Sequence, residues 1–189
     1  EMSRDLFFHV IEQALPGDLC DYILSEAESL ELQAATVVKD GNLKQDDTIR
    51  KANFGYWQAE HWITGLVTHF AANANLYLWH FDLSLPQEIQ YVEYPPGGHH
   101  VWQRDEFGVP LEERYRKDYD GLNRKLSVRV NLSDPEDYEG GETLIRYPLG
   151  EEETLQGLEH KGSVAIIPSY VPVSIAPVTR GLRRYLEAW

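Results

Sequence analysis

The second half of this chain is its most constraining feature. Seven short β-type runs follow one another there, at residues 89–94, 99–105, 126–132, 142–147, 163–167, 171–178 and 183–189, with Gly, Pro, Asn and Asp breaking the junctions. Several short strands at such close spacing, punctuated by turn residues, argue for a β-sandwich or barrel.

The first half reads differently. Leu19, Cys20, Ile23, Leu24, Ala27 and Leu30 recur at helical spacing behind Pro16, which suits a first-turn position. Trp62, Ile63, Leu66, Val67, Phe70, Ala71 and Ala74 trace a single stripe, predicting a second helix that supports a sheet from outside. Phe7, Phe8 and Val10 predict an edge strand ahead of the first helix. Residues 31–38 form a β-type run before the turn signal Asp40-Gly41-Asn42, and residues 45–57 read as polar loop, then strand. The charged segment 106–123, with Tyr115, Tyr119 and Gly121, reads as a long loop over the barrel mouth. The expected organisation is one domain over 1–189, with helix and strand support over 1–86 and a β core over 87–189.

Charge excludes some partners. Seventeen Lys and Arg stand against thirty-one Asp and Glu, a formal charge of −14, and such a surface repels phosphate backbones and anionic lipid heads. Neither nucleic acid nor membrane is expected as a partner. Cys20 is the single cysteine, so it has no internal disulfide partner, and the first ten residues lack a long apolar core. A cytoplasmic protein is the expectation. His61, His69 and His80 accompany the second helix without the carboxylate-histidine spacing of a metal site, and read as surface histidines.

Five segments then carry a resemblance. They are Ile89-Gln90-Tyr91-Val92-Glu93-Tyr94 before a Gly turn; Trp102-Gln103-Arg104-Asp105; Arg124-Lys125-Leu126-Ser127; Tyr138-Glu139-Gly140-Gly141-Glu142; and Lys161-Gly162 leading to Pro168-Ser169 and the tail Pro177-Val178-Thr179-x-Gly181-x-Arg183. In this order and spacing the chain resembles the iron- and 2-oxoglutarate-dependent oxygenases, in their prolyl-4-hydroxylase-like branch. The resemblance implies a mainly β fold: a double-stranded β-helix, or jelly roll of cupin type, with flanking helices.

It also implies where a metal would sit. The family binds iron with a His-x-Asp pair and a distal His, two imidazoles and a carboxylate on one face of the ion. Here the pair's positions hold Gln103 and Asp105, and counting back ten residues from Arg183 places the distal position at Val173. By strand alternation His99 shares a face with Gln103 but lies roughly 13 Å along it, and His100 should point the other way. His160 falls where the family has no ligand. For the co-substrate, Arg183 and Tyr94 match family positions that border the 2-oxoglutarate carboxylate, while Tyr185 occupies a position usually small. Asp105 reads as a residual ligand, a partner for Arg183 across an empty site, or a turn residue; the second is favoured, because a buried carboxylate without a metal needs a cation.

The function expected from these residues is a degenerate member of the family, a non-oxidising pseudoenzyme whose barrel binds a small molecule or protein segment near Arg183, Tyr94, Trp102 and Arg129. No cofactor is expected on this reading. An alternative is an active oxygenase using Fe(II) and 2-oxoglutarate at a non-standard centre, or a metal-independent enzyme with Asp105 as general base. A third is a non-catalytic subunit of an active oxygenase, with a protein partner.

Overall fold

A computed structural model of the chain describes residues 4–39, 42–84, 86–106 and 121–189. Strand β1 (His9–Ile11) and helix α1 (Gly17–Ala27) come first, followed by the short strands β2 (Gln33–Ala34), β3 (Val37–Lys39), β4 (Asn42–Lys44), β5 (Arg50–Lys51) and β6 (Asn53–Trp57). Helix α2 (Trp62–Tyr77) then leads into the β-rich half. That half comprises β7 (Ile89–Tyr94), β8 (His99–Gln103), β9 (Leu126–Asn131), β10 (Tyr138–Gly140), β11 (Thr143–Arg146), β12 (Glu152–Thr154), β13 (Val164–Pro168), β14 (Val173–Ile175), β15 (Val178–Gly181) and β16 (Arg183–Ala188). The run expected over 171–178 is thus divided, with Ala176 and Pro177 between β14 and β15. Most of the loop expected over 106–123 lies outside the described residues.

Two antiparallel sheets face each other as a jelly roll. The larger has the order β1-β13-β9-β16-β7-β6-β2, and the smaller β12-β11-β14-β8-β5. Strand alternation divides the larger sheet's residues between two environments. Leu126, Val128 and Val130 of β9, Val164 and Ile166 of β13, and Leu186 of β16 pack in one core with Cys20 and Ile23 of α1 and Ile63 and Val67 of α2. Fully burying each Leu, Ile or Val of that set contributes about 1.5–3 kcal/mol. The intervening residues face the barrel: Arg129 of β9, Gln90 and Tyr94 of β7, and Arg183, Tyr185 and Glu187 of β16 are all buried. The helices therefore back one face and leave the other to form the site.

His61 caps α2, its imidazole accepting from the Ile63 N–H. Among the described residues no helix is long and apolar enough to cross a membrane.

The Tyr138-to-Glu142 motif acts through shape. Gly140 and Gly141 have φ of +74° and +70°, and a Cβ on Gly140 would run into the Pro177 carbonyl. Only glycine takes that conformation without strain.

A local irregularity in β8 decides which residues reach the interior. Val173 of β14 pairs with Gln103, and Ile175 pairs with His100, so two steps along β14 match three along β8. Such a bulge adds one residue and resets the alternation. His100 is accordingly buried while Val101 is 41% exposed.

Candidate functional site

Asp105 lies just beyond β8, at the floor of a cavity of ≈ 660 Å³. Facing it, β9 supplies Arg129, whose Nη2 donates to Asp105 Oδ2 at 3.2 Å and to Glu187 Oε1 of β16 at 2.6 Å. All three are deeply buried, at 8%, 3% and 2% exposure for Asp105, Arg129 and Glu187. Arg50 of β5 joins them, donating to Gln90 Oε1 at 3.0 Å and lying 3.7 Å from Glu187 Oε2. Gln90 in turn donates to the Tyr56 hydroxyl at 2.8 Å. The barrel mouth thus holds two guanidinium and two carboxylate groups in one connected network. Buried charges persist only when paired this way.

The cation expected opposite Asp105 was Arg183, and the structure replaces it with Arg129. Arg183 points to the other end of the barrel, donating to the Gly141 carbonyl and, at 3.0 Å, to Thr143 Oγ1. It lines a separate cavity of ≈ 360 Å³ beside Tyr138. Along β16 four residues separate Arg183 from Glu187, roughly 13 Å of extended strand. Tyr94 is also committed, its hydroxyl accepting from that of Tyr185 at 3.1 Å, with the rings stacked at 5.6 Å between centroids. Tyr185 fills the interior between the two ends.

His100 is the second correction. Alternation directed it away from Gln103, but the bulge turns it inward, with Nδ1 3.2 Å from Gln103 Nε2. Gln103 Nε2 also approaches Asp105 Oδ1, at 3.4 Å. His99 instead turns outward, toward the Gly97 carbonyl at 3.0 Å and that of Thr48 at 3.4 Å. Val173 is buried against Ile145 and Ile167. Trp102 lines the cavity, with the Arg146 guanidinium 4.1 Å over its ring.

The network sets the protonation states. Burial alone pushes the Asp105 carboxyl up, but Arg129, Arg124 and hydrogen bonds from Ser127 and Trp189 outweigh it and hold the group below its ordinary value. Burial, followed by the positive charges of Arg50 and Arg129, lowers His100 to about 3, so its imidazole is neutral. Burial works against the charge on Arg129, yet Glu187 and Asp105 raise its pKa and keep the guanidinium charged.

No family model matches the chain. A PKHD-type hydroxylase of Shewanella sp. (strain MR-7) is 31% identical over 97 residues, 51% of this chain and 42% of that protein. A PKHD-type hydroxylase of Parvibaculum lavamentivorans is 44% identical over 64 residues, 34% of this chain and 28% of that one. The chain spans less than half the length of these curated relatives. A Pseudomonas putida prolyl-4-hydroxylase superposes with a TM-score of 0.70 and 20% identity, covering 96% of this chain and 91% of that one. The chain thus resembles the iron- and 2-oxoglutarate-dependent oxygenase superfamily, in its prolyl-4-hydroxylase-like branch. A prolyl hydroxylase from Trichoplax adhaerens, in complex with a hypoxia inducible factor oxygen degradation domain peptide fragment, shares the fold of this chain at a TM-score of 0.73 and 13% identity, over 97% and 83% of the two chains.

These likenesses correct the expectation of no cofactor. The PKHD-type and prolyl-4-hydroxylase proteins that this chain resembles are hydroxylases, and HygX from Streptomyces hygroscopicus, similar at a TM-score of 0.57 and 14% identity over 100% of this chain and 86% of that one, holds nickel and 2-oxoglutarate. Fe(II) and 2-oxoglutarate are therefore the cofactors that this fold family brings. The side chains around Asp105 do not fit the family's iron set as they stand. Both carboxylates are engaged by Arg129, the nearby imidazole is that of His100, and among the described residues no group of three or more His, Cys, Asp or Glu could hold a metal ion.

Arg50, Glu187 and His100 were missed as site residues. Glu187 was recoverable, because it shares a strand face with Arg183 and Tyr185 by simple alternation. Arg50 comes from a distant segment and carries no local signal.

Proposed function

We propose that this chain is a degenerate, non-oxidising member of the oxygenase superfamily whose barrel binds a small molecule or a peptide segment. The observation that carries the reading is the position of Arg129, whose Nη2 bonds Asp105 at 3.2 Å and Glu187 at 2.6 Å. A tethered guanidinium supplies the positive charge a buried carboxylate requires, but it is not redox-active and has no open coordination position. Gln103 and Val173 are the positions we assign to the two missing imidazoles. The ≈ 660 Å³ cavity above Asp105 falls in the size range of small-molecule sites. The peptide held by the Trichoplax adhaerens relative favours a peptide segment as one class of occupant.

One observation favours a second reading, an oxygenase with a non-standard metal centre. His100 is buried beside Gln103 and Asp105, which brings one imidazole and one carboxylate into the same floor. Fe(II) and 2-oxoglutarate are the cofactors to try on this chain, and turnover separates the two readings. The protein is incubated with Fe(II), ascorbate and 2-oxoglutarate, and succinate is measured by mass spectrometry. The non-oxidising reading expects no succinate above a protein-free blank. Catalytic succinate formation, abolished by Asp105→Asn, would establish the second reading.

A further inference from the structure

The cavity above Asp105 carries an unbalanced charge. Its wall includes the guanidinium groups of Arg50, Arg104 and Arg124 and the carboxylates of Glu88, Asp105 and Glu187. Behind the floor, Arg129 bonds both Asp105 and Glu187, so four cations stand against three anions among the described residues. His100 adds no charge, being neutral at ordinary pH. One positive charge is left over, in a chain whose formal charge is −14. The hydrogen bonds carry the same surplus, since Arg50 Nε and Arg129 Nε and Nη1 are shut away from solvent with no acceptor. Native proteins leave few buried donors in that condition.

The surplus is open to a ligand at the rim. Arg50 and Arg129 are committed to Glu187 and Asp105. Arg104 is exposed and makes no ion pair with another described residue. Arg124 lies 3.6 Å over the Trp189 ring, donates through Nε to Gln87 Oε1 at 2.6 Å, and acts on the Asp105 carboxyl. A planar carboxylate is the anion that a guanidinium fork matches. Val37, Ile49 and Val101 give the same cavity an apolar flank, and the Val101 N–H donates to the Ile49 carbonyl at 2.9 Å, which sets those two strands' residues side by side. A ligand with an apolar body and one anionic end meets both features. A dianion would exceed the surplus by one charge, beside carboxylates that are already buried. Arg183 takes no part, because it lines the other cavity.

Resting on the non-oxidising reading, we propose that this cavity receives a ligand with a single carboxylate and an apolar body, the carboxylate taken by Arg104 and Arg124 and the body lying along Val37, Ile49 and Val101. A free short-chain acid or the C-terminus of a peptide ending in an apolar residue supplies that chemistry.

Titration calorimetry on the full chain at pH 7.5 tests this with hexanoate, N-acetyl-alanyl-leucine, the amide of each, and succinate. The expected result is saturable binding of hexanoate or of the free-acid dipeptide, at least tenfold tighter than its amide. Arg104→Gln should weaken it about tenfold, the loss of one charge-assisted hydrogen bond. The tighter of the two acids names the source. Amides that bind as tightly as the acids, succinate binding more tightly than both acids, or unchanged affinity in Arg104→Gln would each overturn the proposal. So would the absence of binding by either acid to protein that circular dichroism shows to be folded. The two readings fail separately: succinate formed from 2-oxoglutarate defeats the non-oxidising reading whether or not a monocarboxylate binds, whereas no turnover together with no preference for the acids defeats only the ligand class.

Discussion

Replacing Arg129 with Met tests the charge network directly. The side chain is 3% exposed, and one of its nitrogens serves both Asp105 and Glu187. Met keeps most of the apolar volume and removes the charge. Breaking a buried pair by deleting one partner costs about 3–5 kcal/mol, because a desolvated charge is left behind. Arg50, 3.7 Å from Glu187, retains a hold on that carboxylate, so the loss falls mainly on Asp105. Against a typical total stability of about 5–15 kcal/mol, the variant should be severely weakened yet still foldable.

The pH dependence gives the sign. In the native protein Asp105 is held below its ordinary value of 3.8, so its contribution is complete above that value and lost as pH falls through the lower folded value. Removing Arg129 takes away the largest influence that lowers the Asp105 carboxyl, and burial then pushes it up, so the variant recovers stability as acid protonates it. The gap between the two proteins should therefore be widest at neutral pH and narrow on acidification. Urea unfolding followed by tryptophan fluorescence at pH 7.5 and 5.0 measures it. Adding Asp105→Asn and Glu187→Gln to Arg129→Met should restore most of the loss. A deficit under about 1 kcal/mol at pH 7.5, or one equal at both pH values, would refute the argument that Asp105 depends on this guanidinium.

Three further outcomes are expected. Burial holds His100 down at about 3 in the folded chain against 6.5 ordinarily, so the unfolded state binds the extra proton between those values and stability is lost as pH falls through that range, by up to ~1.4 kcal/mol per unit; His100→Asn should flatten that slope in urea titrations at pH 7, 6 and 5, and an unchanged slope would show that His100 is not its source. Gly140→Ala, at φ +74° and against the Pro177 carbonyl, should cost about 1–3 kcal/mol in thermal unfolding, whereas Gly65→Ala in α2, which meets nothing within 4 Å, should stabilise by roughly 0.5–1 kcal/mol. Val173 and Gln103 lie opposite each other across β14 and β8, so Gln103→His with Val173→His should gain Ni(II) affinity by calorimetry once Arg129→Met is added, and no gain in a folded triple variant would show that the iron positions are misassigned.

Residues whose environment follows from period alone were legible without coordinates. The turn-broken β runs and the two apolar helical stripes predict a sandwich or barrel with backing helices, because alternation and helical spacing are local properties of the chain; the jelly roll is what the resemblance, carried in part by the paired glycines of residues 138–142, implies. The same resemblance placed Asp105 in the interior, where a carboxylate without a metal needs a cation. The identity of that cation was not local. Arg183 lies on β16 with the right chemistry, but roughly 13 Å of strand separates its position from Glu187, and its own donors are taken by Gly141 and Thr143. Arg129 reaches Asp105 only because β9 and β16 pair at Glu187↔Arg129, a register that links residues 58 apart. His100 entered the site for a similar reason, since one extra residue in β8 reversed its face, and a bulge is read from the partner strand rather than from the sequence around it. The sequence by itself determined which faces would be buried and which ligand types were present. Tertiary pairing decided which charge stands opposite Asp105, because long-range register, unlike periodicity, is settled only when the sheets close.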